Sequence, residues 1–419
     1  MQNNDPRQDR DDGQAQPRKQ WLHSVIPSSV SSKAPTIVPS PHDAAQDYLT
    51  GVRGVLVIMS FLWVFMQTFA PAAVKASANT TGPPWQLALR KSLSILFWND
   101  SLIYSSIIFL SARTICLPFL LDSSKLVLAG SVFRRGLRLW FPTAAALIVV
   151  YIVFTKILGT QYLYDFASQT SNASMHPDQY VLPSSLANFN SIFEIFWMSH
   201  NVSYQAGNWA FPSQTLWIVS TIFQQSYTVY MTMVVIPYTR KSWRMMGAFV
   251  FIITAWWVYS WAWFSISGLV FADLVLNFDL KAKCQSHKLL TLAIAGICLA
   301  GGFGMEFLWQ AAFPNLQNAE INYHTGLYNT GGIYTWNDTT APQLRADNYL
   351  IIVGFYILLE ASDIMQMIFR NPVFKFLGRR SYSQYRAIDT ALSPANSNQA
   401  TTYYSRSSCT PLVSRSART

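Results

Sequence analysis

Polar and apolar residues along this chain separate into long blocks and do not alternate. Residues 1–46 are polar, rich in Gln, Asp, Ser and Pro with nearly balanced charge, and predict a disordered tail. Then comes DYLTGVRGVLVIMSFLWVF, in which Arg53 is the last charge before a long apolar run. Further apolar stretches follow at 94–120, 139–158, 214–237, 246–279, 289–308 and 348–369, the first occupying 54–73. A helix crosses the hydrocarbon of a bilayer in about twenty residues, so most stretches predict one crossing each. The stretch 246–279 is too long for one and predicts a hairpin turning near Ser265–Gly268. The expected fold class is all-α: a polytopic transmembrane helix bundle of about eight spans over 47–380, with a polar, Ser-rich tail at 381–419.

Charge supports that reading and orients it. Basic clusters stand at Arg134, Arg135 and Arg138; at Arg240, Lys241 and Arg244; at Lys281, Lys283 and Lys288; and at Arg370, Lys375, Arg379 and Arg380. Glycosylation sequons begin at Asn79, Asn172, Asn201 and Asn337. With both termini cytoplasmic and the hairpin crossing twice, every cluster falls inside and every sequon outside, as the positive-inside bias requires. Two lumenal loops, about 159–213 and 309–347, are then large and rich in Asn, Tyr, Trp, Gly and Pro, which reads as ordered caps. No cleavable apolar leader precedes residue 50, so the first span acts as the signal. Localisation in the endoplasmic reticulum or another endomembrane follows.

Composition agrees: the chain of 419 residues is 51% hydrophobic but only 12% charged, where a soluble domain is about a quarter charged. The net charge of +10 sits in short loops between apolar runs, which argues for lipid as partner and against nucleic acid. The four cysteines, Cys116, Cys284, Cys298 and Cys409, show no metal-ligand spacing and none falls in a lumenal loop, so neither a metal site nor disulfides are expected.

Several residues carry candidate chemistry. Arg53 is either a snorkelling interfacial anchor or an anion contact held by the tight GVRG segment. In SVFRRGLRLWFP, Arg134 and Arg135 each share a helix face with Arg138, and clustered guanidinium forks suit phosphate. Stop-transfer charge explains the same cluster, and Pro142 marks a defined helix start there. Gln214, Gln224 and Gln225 lie in or beside a span and predict interhelical hydrogen bonds. Asp273 in GLVFADL is an intramembrane carboxylate, either functional or paired with an arginine. Of six histidines, none lies within a span, and His200, close to the fourth span, is the one placed to act.

Taken in order, YLTGVRG, FRRGLRLWFP, LWIVSTIFQQSY, GLVFADL and NPVFKFLGRRSYS resemble the acyltransferase-3 family of integral-membrane acyltransferases, in particular its fungal branch, over about residues 47–385. The resemblance implies acyl-CoA, commonly acetyl-CoA, as donor, entering from the cytoplasm. The acceptor is a hydroxyl on a sugar, glycan, lipid or secondary metabolite, and about ten helices are expected. It also implies that Arg53, Arg134, Arg135 and Arg138 hold the donor phosphates. Three positions depart from the family pattern: Thr50 replaces an acid, Trp63 and Val64 occupy the place of a histidine, and Ile222 that of a glutamate. A base must still take the acceptor proton, and His200 and Asp273 are the nearest candidates. The alternative is a family member without catalysis, acting as a transporter or small-molecule-binding protein. A further departure is the polar end after LGRRSYS, where the family continues into another helix. It reads as a truncated or misread terminus.

Overall fold

A computed structural model describes residues 46–75, 82–121, 123–157, 165, 182–198, 205–209, 215–313, 320 and 344–379. The tails at 1–45 and 381–419, the four sequon asparagines, Gln214 and His200 lie outside the described residues. Among those described, every regular element is helical.

Helix α1 (Asp47–Phe69) begins before the apolar run and ends in a 3-10 turn at Pro71–Ala73. After the short α2 (Pro84–Lys91), the stretch expected as one span breaks at Trp98–Asn99 into α3 (Leu93–Phe97) and α4 (Asp100–Leu121). Helix α5 (Lys125–Tyr151) starts far upstream of its apolar run, and its last turns continue as a π-helix over Ile152–Ile157. Ser124 caps it by accepting the amide of Val127, so the helix start is here and Pro142 stands in the helix interior. Helices α6 (Ser185–Trp197) and α7 (Ala206–Trp209) precede α8 (Trp217–Val235).

The hairpin in 246–279 forms, but its turn lies earlier than expected. Helix α9 (Lys241–Trp257) ends at Val258 and α10 (Ala262–Asn277) begins four residues on. Tyr259 takes the left-handed conformation (φ 55°), its amide bonding Trp256 O while Ser260 N bonds Ala255 O. That is a Schellman cap with tyrosine where glycine is usual. Ser265, Ser267 and Gly268 are instead buried within α10, because that glycine is needed for packing: a Cβ there would stand 2.4 Å from Phe109 O of α4.

Helix α11 (Leu280–Ser286) is bent 75° from α10, and α12 (Lys288–Ala311) follows. Helix α13 (Ala346–Ala361) is bent 103° into α14 (Asp363–Phe369), and α15 (Pro372–Arg379) ends the described fold. Four segments are long and apolar enough to cross a membrane, Asp47–Gln67, Leu93–Leu121, Lys125–Ile157 and Lys288–Ala311, and six if each bent pair counts as one. Their outward faces are apolar: Leu126, Phe133, Leu289 and Ile297 are each more than 70% exposed. Such surface suits a membrane-embedded protein.

Close backbone approach joins the first and last elements. A Cβ on Gly51 would lie 1.7 Å from Phe369 O, one on Gly54 2.1 Å from Phe374 O, and one on Gly378 1.8 Å from Thr50 O. The glycines of GVRG and FLG therefore make room for each other, as small residues do wherever helices must touch without side chains between them. Lys375 adds an ion pair to Asp47 at 3.1 Å.

Charge is also buried inside the bundle. Arg113 of α4 is 1% exposed and Glu360 of α13 is 2% exposed, and the two form an ion pair. Tyr48 of α1 donates to Glu360 Oε1 at 2.6 Å, and the guanidinium lies 5.1 Å from the Phe271 ring centroid and 5.2 Å from that of Tyr356. At the other end of the bundle Lys75 pairs with Glu306 of α12, which also accepts from Asn99 Nδ2 at 3.0 Å, and Arg345 pairs with Asp347. Glu320 accepts the amide of Ala346 at 3.0 Å, satisfying a free N–H at the start of α13.

Two outcomes follow from this arrangement. Arg113→Met alone strands a buried carboxylate and should cost roughly 3–5 kcal/mol, whereas Arg113→Met with Glu360→Met should recover most of the loss. Thermal unfolding of the detergent-purified variants measures both, and a double variant as weak as the single one refutes the pairing. The second concerns pH. Burial pushes the Glu320 carboxyl up from 4.5 to about 7, against the opposing pull of the Ala346 amide. A carboxyl whose folded pKa is raised contributes fully below its unfolded pKa and loses that contribution as pH rises through the folded one. The apparent Tm should therefore fall between about pH 4.5 and 7 and level off above it, and Glu320→Gln should flatten the slope across that window.

Candidate functional site

A cavity of about 710 Å³ lies between α1, α4, α5 and α8. Arg53, Arg134, Arg135 and Arg138 all line it. On α1, the glycines at 51 and 54 face the α14–α15 segment, which leaves Arg53 directed the opposite way, since residues two apart on a helix lie nearly across from one another. Its Nη2 donates to Thr114 Oγ1 of α4 at 3.2 Å. Arg135 of α5 is held from two sides, by Ser226 Oγ of α8 at 3.1 Å and by Ser111 Oγ of α4 at 2.5 Å. Arg134 donates to Gly130 O one turn back at 2.9 Å and stays exposed, as does Arg138. Tyr230 of α8 donates to Ser131 O at 3.1 Å, closing the same end.

Among the described residues lining this cavity there is no carboxylate and no histidine. The other polar side chains are hydroxyls: Ser111, Thr114, Ser131, Thr143, Thr215 and Tyr230. Four guanidinium groups, with no acid among the described lining residues, make this pocket positive, and an anion at its partly buried arginines gains more than it would in water. The serine and threonine hydroxyls that orient Arg53 and Arg135 are neutral. Beyond the arginines the walls are aliphatic, from Leu56, Ile107, Leu139, Ile218, Val219 and Ile222. Ile222, at the position where the resembled family carries a glutamate, faces this space.

Other expected site residues lie elsewhere. Asp273 is 2% exposed, is not part of the cavity wall, and is ion-paired with Arg244 at 2.9 Å while accepting from Asn277 Nδ2 at 2.6 Å. Of its two sequence readings, pairing with an arginine describes its surroundings. His200 cannot be placed, since it lies outside the described residues. Trp63 packs edge-on against Tyr104, with ring centroids 5.6 Å apart. Gln225 accepts from Ser265 of α10 at 3.0 Å and Gln224 donates to Met198 O at 2.9 Å, so both amides bridge elements. Sequence reasoning passed over Arg113, Glu306, Asp347 and Glu360. The signal was present, since each is a charge within or beside an apolar stretch, as Asp273 is.

No protein-family model, curated protein or solved structure matches this chain.

Proposed function

We propose that this protein is a membrane-bound acyltransferase that takes an acyl group, commonly acetyl, from acyl-CoA to a hydroxyl of a sugar, lipid or secondary metabolite. The convergence of Arg53 with Arg134, Arg135 and Arg138 in one cavity is the observation that carries the reading. Residues about eighty positions apart in sequence meet where charge-assisted, bidentate bonds to the phosphates of coenzyme A can form. In the transfer, the acceptor oxygen forms a bond to the thioester carbonyl carbon, the carbon–sulfur bond breaks, and coenzyme A leaves as thiolate. The hydroxyl proton must pass to a base. Of the two candidates, Asp273 is engaged by Arg244, so His200 is the residue to which this reading assigns the proton.

The proposed topology adds crossings at Trp217–Val235 and Lys241–Trp257 to the six segments above, for eight in all, with both termini cytoplasmic and an endomembrane location. The Asn79, Asn172, Asn201 and Asn337 sequons would then face the lumen.

A second reading, a non-catalytic relative that binds or transports its ligand, draws on the aliphatic Ile222 and on the lack of an acid or histidine among the described residues of the cavity wall. One experiment separates the two. Calorimetric titration of the purified full-length protein with acetyl-CoA should show saturable binding. Arg135→Ala with Arg138→Ala should weaken it at least tenfold, since a hydrogen bond to a charged group contributes about 1.5–3 kcal/mol. Binding together with release of free coenzyme A thiol supports the transferase; binding with no release supports the non-catalytic reading; no binding ends both as claims about coenzyme A.

A further inference from the structure

The shape of the arginine cavity says more about its ligand than its charge does. Its wall on α5 runs from Ser131 to Thr143, and its wall on α8 from Leu216 to Tyr230. At the helical rise these spans correspond to about 18 and 21 Å, comparable with the ~15 Å that a single leaflet contributes to the hydrocarbon core. The polar groups are sorted along this length. Arg53, Arg134, Arg135 and Arg138 lie toward one end together with Ser111, Thr114, Ser131 and Tyr230, and among the described lining residues Thr143 and Thr215 are the polar groups toward the other. Between them the wall is Leu56, Ile107, Leu139, Ile218, Val219 and Ile222.

A ligand that filled this space with amide groups would meet mainly aliphatic side chains among the described lining residues, and each amide left without a partner would cost roughly 1–3 kcal/mol. An alkyl chain has no such groups and gains about 0.8 kcal/mol for each methylene withdrawn from water. We infer that the cavity binds an amphiphile with a phosphate-bearing head at the arginines and one long alkyl chain along the aliphatic leg. This rests on the phosphate-binding half of the function proposed above and replaces the acetyl group named there with a long chain. Two sources share the chemistry, a single-chain lipid phosphate from the surrounding membrane and a long-chain acyl-CoA.

The test uses the full-length protein in phosphatidylcholine nanodiscs, with apparent Kd values read from ligand-dependent thermal stabilisation and empty nanodiscs as the partitioning control. Hexadecyl phosphate is compared with butyl phosphate, and palmitoyl-CoA with acetyl-CoA. At least one long-chain ligand should bind tenfold or more tightly than its short-chain counterpart, and the pair that shows the gain identifies the source. Val219→Trp, which places a large ring in the aliphatic leg, should abolish the chain-length gain while short-chain binding persists. Arg135→Gln should weaken both members of the pair equally, and it guards against a Val219→Trp variant that fails to fold. Equal affinity for long and short chains in both pairs overturns the inference and leaves acetyl-CoA binding, and with it the donor reading, standing. Chain-dependent binding of hexadecyl phosphate with no binding of either CoA ester does the reverse.

Discussion

An arginine inside a bundle of apolar helices must find a negative partner or not be there, and the pairing of Arg113 with Glu360 sets conditions for much of the rest. Arg113 stands in α4, one turn beyond Phe109 and between Ser111 and Thr114, while Glu360 ends α13 and Tyr48 opens α1. The hydrogen bond from Tyr48 to Glu360, with that from Arg113 to Tyr48, therefore fixes α1 against α13 and α4 in both height and rotation. Arg53 lies a turn and a half further along α1, and Ser111 and Thr114 are the residues that orient Arg135 and Arg53. A slip of one residue in this register would carry the arginines of the cavity away from the hydroxyls that aim them.

The opposite end of the bundle is tied by different means. Lys75, Glu306, Asn99, Arg345, Asp347 and Glu320 bring the segment after α1, the start of α4, the end of α12 and the start of α13 to a common point. Two ionic ties at the two ends, with aromatic packing such as Tyr104 on Trp217 and Trp263 on Tyr349 between them, leave little freedom for helix rotation. In such a framework like charges can be held close together, because the helices that carry Arg53 and Arg135 are fixed against their neighbours. The concentration of positive charge is thus a property that the fold sustains and a ligand would relieve.

Much of this was legible in the chain. Long apolar blocks give helices long enough to cross a membrane, and the stretch at 246–279, longer than one crossing needs, doubles back. The place of its turn was not legible. Ser265–Gly268 has turn-like composition, but Gly268 is required where α10 meets Phe109 O, and a tyrosine takes the left-handed position instead. The grouping of Arg134, Arg135 and Arg138 follows from helical spacing alone, whereas the choice for Asp273 between chemistry and pairing depended on whether Arg244 reached it.

What the sequence determined by itself is local: the blocks that become helices, the face shared by the arginines of α5, and the small residues at which backbones can meet. Only the tertiary structure decided that Arg53 joins those arginines and that Arg113 and Glu360, nearly 250 positions apart, neutralise each other. It also decided that the space beside the arginines is walled by aliphatic side chains. Periodicity specifies which way a side chain points from its own helix, but the energy of a buried charge depends on what another helix places opposite it, and that is settled only when the helices pack.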